Sequence, residues 1–284
     1  MKRKRELEVV AIPVPLDAKH PGVPNKNILP QHPFLMALIA PKGSGKTTLI
    51  GNLLDFYTGY FHVITILSPT IRNDEKWKTI KQWPLLAENV KLKKFMESKG
   101  QGSQNIIEAP KKDEIQFDPR VPTDHFISEY SPDLLKSLTK QKDEEIEWLE
   151  SNDKTVHWAD RWLIVYDDQV GSNLFSQRKD NPFNTYVTRM RHWSSSAIVV
   201  TQSYKQLPKV ARVQCNSIIL FEIGNEVELK DIFMEFGCGL KWTEWLQVFQ
   251  YCTSNGEYDF MYINLDRPKK MRIMKNFDEI VNLE

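Results

Sequence analysis

Cysteine is scarce in this chain. Cys215, Cys238 and Cys252 are the only three in 284 residues, they lie far apart, and no Cys-x-x-Cys pair occurs. That pattern argues against a disulfide framework and against a zinc site, and it fits a reducing compartment. Long apolar runs are missing as well: the longest, Phe34 to Ala40, falls far short of the roughly 20 residues a membrane helix needs. Net charge is nearly absent, with 38 Lys and Arg against 37 Asp and Glu. This excludes a uniformly basic surface, but a local patch or a pore lined with Lys and Arg is enough to meet nucleic acid. The basic opening, Met1 to Arg5, is followed by Glu6 and an apolar stretch too short and too broken by proline for a secretory signal. There is no internal repeat. Aromatic residues are plentiful (Trp 8, Tyr 9, Phe 14), and with 41% hydrophobic residues they argue against a disordered chain.

Residues 11–33 carry Pro13, Pro15, Pro21, Pro24, Pro30 and Pro33, so this segment reads as an extended arm. It is either a surface lead-in or an arm laid over a neighbouring subunit. Phe34 to Ala40 has the length and continuous apolarity of a buried parallel strand. A glycine-rich loop follows, then Leu49, Ile50, Leu53 and Leu54 at helical spacing, then a second strand over 61–67. Further strands are expected over 162–166, 197–201 and 217–223. Helices are expected over 131–149, around 229–236 and over 240–249. The acidic face of the first of these helices (Asp143, Glu144, Glu145, Glu147, Glu150) reads as solvated. Asn255-Gly256 between Val248–Thr253 and Tyr258–Leu265 reads as a hairpin turn. The resulting organisation is an arm over 1–33, one α/β domain over 34–265 with a charged, motif-poor insertion at about 90–157, and a tail over 266–284.

The segment Ala40-Pro41-Lys42-Gly43-Ser44-Gly45-Lys46-Thr47-Thr48 fits the phosphate-loop pattern G-x-x-x-x-G-K-[ST], with Ala40 in place of the first glycine. Gly43 and Gly45 let the backbone curl into a nest of inward N–H groups, and the following helix adds its positive end. In this arrangement Lys46 reaches the β- and γ-phosphates, Thr47 ligates Mg²⁺ and Thr48 contacts the α-phosphate. A glycine-rich turn without a ligand is the plainer alternative. Buried strand before and amphipathic helix after supply the context that the pattern requires.

Leu163 to Tyr166 is a hydrophobic strand ending in Asp167 and Asp168. At such a tip the first carboxylate can hold Mg²⁺ and the second can take a proton from an attacking water. The pair can also simply cap the next element. Lys46 and Asp167 are 121 positions apart, which leaves room for a strand between the two motif strands. Gln202 ends the strand 197–201 and is a candidate to sense the γ-phosphate or position water. Arg189, Arg191 and Arg212 are candidates for a cation supplied to a neighbour's γ-phosphate. His192 reads as a packing or hydrogen-bonding residue.

The order Ala40 to Thr47, Leu163 to Asp168, Arg189-Met190-Arg191-His192, then Val199-Val200-Thr201-Gln202-Ser203-Tyr204 with Pro208 and Arg212, resembles the genome-packaging ATPases of poxviruses and other large DNA viruses, within the FtsK–HerA superfamily. The resemblance covers about residues 34–265. It departs at Ala40, where glycine is usual, and at Asp168, where the family has glutamate. It implies a RecA-like P-loop NTPase fold of the additional-strand, catalytic-acid group: a central mostly parallel sheet flanked by helices, here with a C-terminal β-hairpin. It further implies a homo-oligomeric ring that hydrolyses ATP with Mg²⁺ at subunit interfaces and drives double-stranded DNA into a preformed capsid. Ala40 to Thr48 would bind nucleotide, Thr47 and Asp167 the metal, Asp168 would be the base, Gln202 the sensor, and Arg189 and Arg191 the region of the trans-acting finger. Candidate DNA segments are Lys2–Arg5, Lys91–Lys94, and Lys269, Lys270 with Arg272. The partners so implied are duplex DNA without sequence preference, further copies of the chain and a capsid protein. The location would be host cytoplasm or virus factory, or the virion, with the nucleus as the alternative if Lys2–Arg5 is an import signal. Two other readings stay open: a P-loop phosphotransferase acting on a nucleoside or nucleotide, and a non-catalytic nucleotide-binding scaffold.

Overall fold

A computed structural model describes residues 19–98, 126–169, 172–176, 178, 180–254 and 256–281. The basic run Lys2–Arg5, Asn255 and most of the stretch 91–130 lie outside these residues. Strand β1 (Leu35–Ile39) is buried at every position. It lacks polar alternation because helices cover both faces of the sheet. Successive residues feed two different cores: Leu35, Ala37 and Ile39 join one apolar cluster, Met36 and Leu38 the other. Strand β4 (Trp162–Asp167) divides in the same way, with Trp162, Ile164 and Tyr166 on one side and Leu163 and Val165 on the other.

Nine strands form one sheet among the described residues. Their order is β3 (Phe126–Ile127), β2 (Val63–Leu67), β4, β5 (Ser195–Thr201), β1, β6 (Ser217–Leu220), β7 (Met261–Asn264), β8 (Ile273–Lys275) and β9 (Glu279–Ile280). Pairing is parallel from β3 through β6 and antiparallel from β6 through β9. Strand β5 lies between β1 and β4; it follows Asp167 in sequence, so the long stretch between Lys46 and Asp167 does not supply the intervening strand but places β2 and β3 beyond β4. Helices α1 (Lys46–Phe56) and α2 (Glu75–Ile80) pack on one face through Leu49, Ile50, Leu53, Leu54, Trp77 and Ile80. The other face is covered by α4 (Pro132–Ser151), α5 (Pro182–Arg189), α6 (Lys209–Gln214), α7 (Glu226–Phe236) and α8 (Trp242–Thr253). The described end of the proline-rich segment, from residue 19, lies against its own chain. Val23 and Leu29 are buried. Tyr60 Oη donates to the Pro21 carbonyl at 2.8 Å, and Tyr262 Oη and Asn264 Nδ2 donate to the Ile28 carbonyl at 2.9 and 3.0 Å. Side chains thus satisfy carbonyls that proline keeps out of any helix.

Three local expectations fail, and one helix forms that none of them anticipated. No hairpin forms about Gly256, because Val248–Thr253 is the end of α8. The β-favouring residues there continue a helical stripe, Trp245, Phe249 and Cys252, whose first two rings stack 5.6 Å apart. Burial of that stripe outweighs strand propensity. The antiparallel strands instead join across 265–272. The stretch expected to be a tail contributes β8 and β9. Helix α3 (Val90–Ser98) forms in the charged insertion, where Leu92 packs with Leu149 and Ala159. The acidic face of α4 is only partly solvated: Glu145 accepts the Asp160 N–H at 2.8 Å and pairs with the buried Lys142, whose Nζ also donates to the Asp160 carbonyl at 2.9 Å. A buried ammonium needs such partners.

Near Lys142 and Arg161 four histidines are held neutral. His20 contacts His32 and His157 edge to face at 4.7 and 4.5 Å. His32 bonds Ser196 Oγ at 2.7 Å and Ser194 Oγ at 3.1 Å. His62 Nδ1 accepts the Arg161 N–H at 2.7 Å. Burial and then neighbouring positive groups push His20 down to about 4, His62 to about 2 and His32 well below its usual value; burial lowers His157. Their native values lie below the unfolded value of about 6.5. The unfolded chain thus takes up protons first on acidification, and stability is full above about pH 6.5 and falls below it. Asp167, whose value burial raises, works in the opposite sense but is one group against four. The urea midpoint is expected to drop between pH 7 and pH 5; a midpoint flat across that range would show that the histidines are not held neutral.

Candidate functional site

Three parallel strands end at one edge of the sheet and deliver the candidate residues there. Register pairs Ile39 with Thr201 and Asp167 with Val200. The tip of β4 thus lies two strand spacings, roughly 10 Å, from the tip of β1, with β5 between. From β1 the chain enters the loop 40–45. Gly43 and Gly45 have φ +87° and +83°, the left-handed region that a side chain strains. Ser44 Oγ donates to the Pro41 carbonyl at 2.8 Å and tightens the turn. Gly45 caps α1 without any side-chain hydrogen bond. The first amides of α1, which have no intrahelical acceptor, therefore point into the loop together with the positive end of the helix. The space above is a cavity of about 510 Å³ lined by residues 43–49 of the loop and helix, Asn52, Lys76, Phe221, Tyr258 and Phe260.

Lys46 leaves the start of α1 and brings Nζ to 3.9 Å from Asp168 Oδ2. Asp168 has φ +46°, rare for a residue with a side chain, so the chain turns sharply at the end of β4. Gln202 Nε2 donates to Asp168 Oδ1 at 3.0 Å. Lys46, Asp168 and Gln202 thus meet from three separate strand ends. Asp167 is different. It is 1% exposed, and its Oδ2 accepts from Ser68 Oγ at 2.7 Å. Its Oδ1 is buried without a partner among the described residues. Burial raises its pKa; the Ser68 hydrogen bond and Lys46 act against this, while Asp168 and Asp74 add to it. An orphaned carboxylate oxygen beside a phosphate loop fits a hydrated divalent cation, and Asp167 and Thr47 are the residues that could hold one.

The three arginines do not join this group. Arg189 and Arg191 lie just before β5, whose seven residues separate them from Thr201 by roughly 20 Å. Arg189 sits 3.7 Å from Asp143 and over the Trp193 ring. Arg191 is exposed and makes no ion pair among the described residues. Arg212 pairs with Glu235 at 3.3 Å over the Tyr204 ring. His192 is exposed. Sequence reasoning missed Ser68 and the aromatic lining. Ser68 follows the tip of β2, the strand beside β4, so an inventory of every strand tip finds it. Tyr258 and Phe260 carry no pattern of their own.

No protein-family model matches the chain, and no curated protein matches it by sequence. Solved structures match its fold. The crystal structure of B204, the DNA-packaging ATPase from Sulfolobus turreted icosahedral virus, aligns with a TM-score of 0.51 at 14% identity, covering 89% of this chain and 100% of that one. The genome packaging NTPase B204 from Sulfolobus turreted icosahedral virus 2, in complex with sulfate, aligns with a TM-score of 0.51 at 14% identity, covering 88% and 98%. At this identity the likeness is one of fold: an α/β sheet, mostly parallel with antiparallel C-terminal strands, as in P-loop ATPases.

Ser68→Ala removes a hydrogen bond that favours the charged form of Asp167. The Asp167 carboxyl, followed by NMR, is expected to titrate at higher pH in the variant, and an unmoved titration would show that the Ser68 hydrogen bond does not act on it.

Proposed function

We propose that this chain is an ATP hydrolase that drives double-stranded DNA into a viral capsid as a homo-oligomeric ring. One observation carries the hydrolase reading: Lys46, Asp168 and Gln202 converge over the phosphate loop, with Asp167 buried beside them. The amides of residues 43–48 and Lys46 hold the triphosphate. Thr47 and Asp167 would hold Mg²⁺, which neutralises charge on the β- and γ-oxygens when bound. Water attacks the γ-phosphorus, Asp168 accepts its proton, the bond to the bridging oxygen breaks, and ADP and phosphate leave. Gln202 orients that water from the neighbouring strand tip. Asp168 reaches less far than the usual glutamate, but its left-handed backbone turns it toward Lys46 and Gln202.

The finer parts of the proposal rest on the motif order and on the fold likeness to B204, a DNA-packaging ATPase. In this reading the chain belongs to the FtsK–HerA superfamily and its poxvirus-type branch, docks on a capsid protein and works in the host cytoplasm or virus factory. Among the described residues no helix is long and apolar enough to cross a membrane. For the trans-acting cation Arg191 is favoured over Arg189 and Arg212, because those two already face carboxylates of their own chain. The motor would grip phosphates, so its affinity for DNA should fall steeply with salt and depend little on sequence.

Phosphate release measured with and without duplex DNA tests the proposal. Release stimulated by DNA is expected. Phosphoryl transfer to a nucleoside would instead establish a phosphotransferase, and absence of any release a scaffold. Lys46→Ala is expected to abolish turnover. Asp168→Asn is expected to slow it by roughly 10²-fold or more while ATP stays bound; loss of ATP binding in that variant would remove Asp168 from the role of base.

A further inference from the structure

The phosphate loop forms one side of the cavity, where Lys46 links it to Asp168. The other side is aromatic and takes no part in hydrolysis. Phe221 continues β6, its N–H donating to the Ile39 carbonyl at 3.1 Å, and Phe260 immediately precedes β7. Both are buried, with ring centroids 5.5 Å apart, and Phe260 packs on Phe277 at 5.1 Å. They form a fixed apolar floor. Tyr258 is unlike them: it is 57% exposed. Its ring lies against the phosphate loop, so close that a Cβ built on Gly45 would come within 2.9 Å of Cδ1. Core packing does not explain an exposed aromatic ring beside a glycine of the loop, whereas an amphipathic ring waiting for a flat partner does.

Strand order sets the direction of a bound nucleotide. In the sequence β4-β5-β1-β6-β7, Asp168 and Gln202 lie on the β4 and β5 side of the loop, and Phe221, Tyr258 and Phe260 on the β6 and β7 side. A triphosphate whose γ-phosphate faces Asp168 carries its base toward β6 and β7. We infer that Tyr258 stacks on the nucleobase above the Phe221–Phe260 floor, so that the base is held by its face and not read by its edge. The inference rests on the reading of residues 40–48 as a triphosphate site. Polar lining outside the loop, Asn52 and Lys76, comes from α1 and α2 and not from the aromatic wall. Because every base offers a π-face, adenine and guanine nucleotides should bind alike.

Titration calorimetry of the full chain with ATP, GTP and inorganic tripolyphosphate tests this. Tyr258→Ala is expected to weaken ATP and GTP by roughly tenfold each and to leave tripolyphosphate unchanged, while Tyr258→Phe binds ATP as the wild type does. Unchanged ATP affinity in Tyr258→Ala overturns the stacking. So does a Phe variant as weak as the Ala variant, which would assign the effect to the hydroxyl. A preference of 100-fold or more for one purine would show an edge-reading site. Failure of tripolyphosphate to bind the wild type would overturn the phosphate site and the stacking together, which distinguishes the two failures. The exposed position of Tyr258 lets both variants fold, and unchanged melting temperatures verify it.

Discussion

Everything at this site depends on the lateral order of three parallel strands that share an edge. Parallel pairing puts the carboxyl ends of β1, β5 and β4 in register, so that each strand tip becomes an address at a fixed spacing from the next. The phosphate loop occupies one address, Gln202 the second and the acid pair the third. Ligands of open α/β sheets bind outside the carboxyl ends of their strands, and the reason is visible here: backbone hydrogen bonds hold the tips rigidly while the side chains beyond them are free to meet.

The two adjacent carboxylates show how one turn of backbone gives neighbouring acids different surroundings. Asp167 ends β4 inside the sheet, where burial disfavours its charge and Ser68 supplies one compensating hydrogen bond. Its second oxygen lacks a partner among the described residues, an arrangement that costs stability unless something cationic nearby shares it. Asp168 turns out of the strand through a left-handed conformation into a half-buried setting beside Lys46 and Gln202. Neighbouring acids in different environments are suited to different roles, and here the difference in environment follows from the direction of the backbone.

Motifs whose chemistry is written in consecutive residues are legible in the amino-acid order: the loop 40–48, the apolar strand ending in Asp167, and the strand ending in Gln202. The expected lengths of β1, β4 and β5 are close to those observed because continuous apolar runs leave few ways to fold. Val248–Thr253 reads as a strand yet folds as helix because residues that favour strands also serve a helical stripe, and only the partner surface decides between periods of 2 and 3.6. Helix α3 escapes a sequence reading because, among its described side chains, Leu92 alone is buried, which gives hardly any periodic signal. Ser68 and Tyr258 stand in unremarkable local sequence.

The sequence alone therefore determined the chemistry at each address: which residues can cradle phosphate, which can hold a metal and which can take a proton. That information is local, carried by residue type and by spacings of a few positions. Tertiary structure alone decided which addresses are neighbours. It set β5 between β1 and β4, brought Ser68 to Asp167 across 99 positions, gave Arg189 and Arg212 carboxylate partners within the chain, and laid Tyr258 against Gly45. Contacts of that kind come from sheet order and from the burial of two apolar faces, quantities to which every part of the chain contributes and which no short stretch of it contains.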